Sequence, residues 1–142
     1  MPLSDIAHVI QLAIAPVFLL TAVGTLLNVL ASRLGRAVDR RRLLTAAIPT
    51  LEDSLGAPAR EELACLARRI SVIYGSITLA VVCALLICLL IAVAFLDALI
   101  SADLARLVAI LFMLAMLGLI GSLALFLREI YLAVNTVACP LQ

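Results

Sequence analysis

The chain has 142 residues, 66% of them hydrophobic and 13% charged, with a net charge of +1 and a mean hydropathy of +1.30. A water-soluble domain carries about a quarter charged residues, so this composition excludes an ordinary soluble surface and makes lipid much of the solvent. The length fits a single domain, residues 1–142, and the near-neutral balance gives no case for nucleic acid as a partner.

In chain order, the opening MPLSDIAHVIQ has no basic region and carries Asp5. It is expected to be mature protein rather than a cleaved signal. Residues 6–32 contain no formally charged side chain, only His8, and exceed the roughly 18 apolar residues that mark a spanning helix. Residues 70–96 and 107–127 are the second and third such stretches. In lipid every backbone amide needs a partner within its own segment, so all three are expected to be helices.

All ten basic residues are arginine. In a three-span arrangement Arg33, Arg36, Arg40, Arg41, Arg42, Arg60, Arg68, Arg69 and Arg128 share one side, and only Arg106 lies on the other, beside Asp97 and Asp103. Basic loops remain in the cytoplasm. The expected topology is N-terminus outside, residues 33–69 cytoplasmic, an outer turn at 97–106 and a cytoplasmic C-terminus. The two aspartates are expected to do no more than keep that turn hydrated.

Between the first two spans the apolar stripe continues through Leu27, Leu30, Leu34, Ala37 and Val38. The first helix is therefore expected to run past the bilayer or to break near Gly35. Residues 48–57 read as a turn region, with Pro49, Gly56 and Pro58 at or near its ends. Pro58 is expected in the first turn of the next helix, with Glu61 and Glu62 near the positive end of its dipole. The fold class is thus all-α integral membrane: three transmembrane helices with a cytoplasmic helical hairpin over residues 33–69, assembled as a homo-oligomer.

The stretch AIAPVFLLTAVGTLLNVLASRLGRAVDRRRLL, followed by EELACLARRI and two further spans, resembles an uncharacterised family of small bacterial membrane proteins catalogued as a domain of unknown function. The likeness rests on Ala15-Pro16, the Leu-Leu before Asn28, the run from Arg33 to Arg42, and Arg68-Arg69. It covers most of the chain. It implies a three-span protein of the bacterial inner membrane and transfers no activity, ligand or functional residue.

Gln11, Ile14, Phe18, Thr21, Thr25, Asn28 and Ser32 follow a 3-4 spacing that places them on one seam of the first helix. One reading is a packing seam against Ser71, Gly75 and Thr78 or Gly118 and Ser122, each polar contact contributing about 0.6 kcal/mol. The other is a water-facing seam, which needs several copies around an axis, with Phe18 as a hydrophobic constriction. Pro16 lies off the seam and frees the carbonyl of Leu12, so a bend is possible there.

The arginines orient the chain and attract anionic headgroups, about 1 kcal/mol each near the surface. Asp39, the only acid among Arg33–Arg42, is placed to pair with Arg36 or Arg42 along its helix, or with Arg68 or Arg69 across the hairpin. With Arg42 it also extends the seam toward a cytoplasmic mouth. The second and third spans carry no charge in their interiors, which counts against a proton-coupled transporter. No nucleophile–base pair, metal motif or phosphate loop is present, so no catalysis, metal or other cofactor is expected. Cys65, Cys83, Cys88 and Cys139 read as small packing residues. The expected function is a homo-oligomeric channel or pore for ions or small solutes. The alternative is a non-catalytic scaffold or adaptor whose cytoplasmic hairpin docks a partner protein. Expected partners are the bilayer, including anionic lipids, and further copies of the chain.

Overall fold

A computed structural model describes residues 3–50, 53–100 and 103–137. They form three long α-helices, α1 (Leu3–Ala47), α2 (Asp53–Ile100) and α3 (Ala105–Val137), with a short 3-10 turn at Ile48–Thr50. All three are long and apolar enough to cross a membrane. Leu51 and Glu52, in the middle of the expected turn, and Cys139 lie outside the described residues.

α1 continues without interruption through Pro16 and Gly35. Its 45 residues rise about 68 Å at ~1.5 Å per residue, against a hydrocarbon thickness of about 30 Å. Nothing lies within 4 Å of the position a side chain would take at Gly35, so no neighbour forces a break there. Pro16 costs one backbone hydrogen bond but is buried, and the helix holds through it. α2 starts earlier than the turn chemistry of Gly56 and Pro58 indicates. It begins at Asp53, so Pro58 is the sixth helical residue rather than a first-turn residue. The carbonyl of Ser54 is then the acceptor that loses its partner.

The described residues divide into two compact units, one drawn from Met1–Leu27 and Thr78–Gly121, the other from Asn28–Ile77 and Ser122–Gln142. The first has a core of Val23, Ala80, Cys83, Ile87 and Ala115, enclosed by Leu19, Leu20, Leu27, Leu86 and Leu119. Small side chains bring α2 and α3 close here. A Cβ at Gly118 would stand 3.6 Å from that of Cys83, and one at Gly121 would meet Leu79 Cδ1 at 3.2 Å. Lipid tails are as apolar as leucine, so close helix contact rests on such small residues rather than on water exclusion. Large apolar side chains instead cover the outside: Leu85, Leu99 and Leu117 are 64%, 67% and 60% exposed. A surface of this kind belongs in lipid.

At the junction of α2 and α3, Asp97 does more than hydrate the turn. Its Oδ1 accepts the backbone N–H of Leu104 at 2.8 Å, ahead of the first α3 bond from Val108 N–H to the Leu104 carbonyl. Asp103 supplies the change of direction with a φ of 48°, a conformation that aspartate tolerates better than most residues. Asp97→Ala is expected to destabilise the protein by about 1.5 kcal/mol, the weight of a hydrogen bond to a charged group, while Asp97→Asn loses less because its amide oxygen still accepts. Thermal melts of the two variants in detergent check this, and equal melts for Asp97→Ala and wild type would remove the cap.

In the second unit Leu30, Ala37, Leu66, Ile70 and Ile73 are buried. Ser76 and Ser122 lock α2 to α3 reciprocally. Ser76 Oγ donates to the Ser122 carbonyl at 2.7 Å, and Ser122 Oγ donates to the Ser76 carbonyl at 2.9 Å. Both hydroxyls are buried and both are satisfied.

Candidate functional site

The strongest polar constellation centres on Glu129, whose side chain is completely buried on α3. Arg33 of α1 donates from Nη1 to Glu129 Oε2 at 2.9 Å, and Arg69 of α2 donates from Nη2 to Oε1 at 2.9 Å. One carboxylate therefore ties one cation from each of the other two helices. The Arg33 guanidinium also stands 5.2 Å from the ring centroid of Phe126, one turn before Glu129 on α3. A buried carboxylate is costly unless paired and hydrogen-bonded. Here both oxygens are engaged by charge-assisted bonds, which are the strong class.

Glu129 lies outside the reading drawn from the sequence, because the apolar run of the third span ends at Leu127. A usable signal was nevertheless present. In a three-span chain Arg33, Arg69 and Glu129 mark the same end of each span, and Glu129 is the acid at that end of the third.

Farther along α1 and α2, Arg40 pairs with Glu62, Nε and Nη2 both 2.9 Å from Oε1. Both side chains are about half exposed, so this pair contributes at most about 1 kcal/mol. Asp39, Arg42 and Arg68 are exposed, and none of the ion pairs among the described residues includes them. Arg69, the other expected partner for Asp39, is engaged by Glu129 instead.

Every residue of the α1 seam, Gln11, Ile14, Phe18, Thr21, Thr25, Asn28 and Ser32, is exposed, Phe18 at 72%. The hydroxyls of Thr21 and Thr25 donate to the carbonyls of Val17 and Thr21, four residues back, and Ser32 Oγ accepts from Arg36. Of the partners that the packing reading names, Ser122 pairs with Ser76, Gly75 faces Leu125, and Gly118 faces Cys83. Asn28 has no side-chain hydrogen bond among the described residues. An amide placed within lipid would need a partner, because lipid tails offer none.

No curated protein and no solved structure matches the chain. A family model described as "Protein of unknown function (DUF2721)" matches residues 13–139, nearly the whole length, and the chain belongs to that family.

Proposed function

We propose that the protein is a homo-oligomeric pore for ions or small solutes, in which the face of α1 running from Gln11 to Ser32 lines the axis. The observation that carries this reading is the exposure of all seven seam residues, with the Asn28 amide left without a side-chain partner among the described residues. In this reading a second copy or water meets that amide. Phe18, the most exposed aromatic of the seam, is the constriction, closing the path by dewetting. The arginine-rich ends of the helices face the cytoplasm of a bacterial inner membrane, with the N-terminus outside. There Asp39 and Arg42 form charged rings at the mouth. The absence of any interior charge on the expected second and third spans favours passive conduction over coupled transport.

Phe18→Ala is expected to raise ion leak in proteoliposomes. Cysteines placed at Thr21, Thr25 and Asn28, in a background lacking the native cysteines, are expected to react with water-borne thiol reagents. Unchanged leak with assembly intact, together with unreactive cysteines, would leave the seam as dry helix packing. The scaffold reading would then stand, with the exposed arginines of α1 and α2 as its docking surface.

A further inference from the structure

The second unit holds a cavity of about 160 Å³ lined by Arg33, Arg36, Ala37, Arg40, Leu66 and Arg69. That is room for several waters or for one phosphate group. Four of its six lining residues are arginines. Two carboxylates touch them: Glu129, shared by Arg33 and Arg69, and Glu62, held by Arg40. The walls therefore keep an excess of two positive charges. Among the described residues Arg36 has only a neutral partner, Ser32 Oγ at 3.2 Å. Arg69 has a buried Nε with no hydrogen-bond partner among the described residues. Each guanidinium carries five N–H donors, and its carboxylate uses one or two of them. Ala37 is buried and small, and that leaves the space between the cations open.

We propose that this cavity is a binding site for a phosphate-bearing anion, taking its charge from Arg36 and from the donors that Glu62 and Glu129 leave free. Planar guanidinium forks match the oxygens of a phosphate in a way that a diffuse basic surface does not. The Glu129 bonds act as the scaffold of the site: they hold Arg33 and Arg69 in fixed positions, so ligand binding does not have to order them. The two sources of such a group are the headgroup of an anionic phospholipid and free phosphate. The site stands whether or not α1 lines a pore.

The test uses the full chain purified in an uncharged detergent. Native mass spectrometry compares retention of phosphatidylglycerol with that of phosphatidylcholine, and thermal melts follow addition of inorganic phosphate. Arg36→Gln is the informative variant, because Arg36 is exposed and holds no structural carboxylate. Arg60→Gln removes the same charge from an exposed position outside the cavity. A lipid site gives preferential retention of phosphatidylglycerol that falls about tenfold in Arg36→Gln, the weight of one charge-assisted hydrogen bond, and is unchanged in Arg60→Gln. A soluble-phosphate site gives stabilisation by phosphate that is lost in Arg36→Gln, with no preference between the lipids. No lipid preference together with no response to phosphate would overturn the proposal. So would equal losses in the two variants, which is the signature of general surface attraction.

Discussion

Replacing Glu129 with glutamine is expected to lower the stability of the detergent-purified protein by about 3 kcal/mol, or roughly 6–12 °C in melting temperature. Glutamine keeps the volume and one acceptor but removes the charge on which Arg33 and Arg69 converge, each at 2.9 Å. Two partly buried guanidiniums are then left with one neutral oxygen and an amide that donates instead of accepting. Removing one member of a buried ionic cluster is costly for this reason, whereas replacing the whole cluster with apolar groups is often neutral. The combined change Arg33→Met, Arg69→Met and Glu129→Leu is accordingly expected to recover much of the loss. Differential scanning fluorimetry of both proteins decides the matter. An unchanged melt for Glu129→Gln would mean that the triad does not hold the three helices.

The second large effect is expected at Gly118. A Cβ there would lie 3.6 Å from Cys83 Cβ, 3.8 Å from the Leu79 carbonyl oxygen and 3.9 Å from Cys83 Cα. These are ordinary contact distances, so Gly118→Ala fits. It is expected to stabilise the protein by about 0.5 kcal/mol, through reduced backbone freedom of the unfolded chain. Leucine adds three further carbons against the backbone of α2, which cannot rotate away as a flexible side chain can. Cys83 is itself completely buried. Gly118→Leu is therefore expected to cost about 2 kcal/mol by overpacking. Opposite signs for the two substitutions in thermal melts would identify close approach of α2 and α3 as the cause. A neutral Gly118→Leu would show that the contact yields.

Much of the fold was legible in the sequence, because lipid imposes a simple demand. A segment that crosses it must be long, apolar and internally hydrogen-bonded, and three such runs stand out in this chain. At Gly35 the stripe Leu27, Leu30, Leu34, Ala37 left two outcomes open, a continuous helix or a break, and the helix is continuous. The start of α2 was not, because Gly56 and Pro58 are turn residues by local preference and yet lie within the helix from Asp53. The seam was legible as a pattern of spacing but not as an exposed surface. Spacing aligns Thr21 and Thr25 on a stripe; it does not tell that their hydroxyls close onto carbonyls of their own helix. The α2–α3 contact was half legible. Gly118 and Ser122 were identifiable as a small pair, but the partner of Ser122 is Ser76, and no local pattern singles it out. Glu129 was legible only in position, as the acid at the same end as Arg33 and Arg69. Its two partners stand 96 and 60 positions away in the chain, and hydropathy along one helix carries no information about its burial.

The order of synthesis gives Glu129 a place in time as well as in space. α1 and α2 leave the ribosome first, each with an arginine at the border of its apolar stretch and without the carboxylate that pairs it in the finished fold. Until Glu129 is made, Arg33 and Arg69 lack that partner, and an unpaired arginine resists entering lipid. The carboxylate that both of them share arrives only with the last helix. Glu129 can close the triad only after both earlier helices have been made, so the same arginines are unpaired with it first and its structural partners afterwards. A chain that stops before residue 129 keeps the two arginines and lacks the closure.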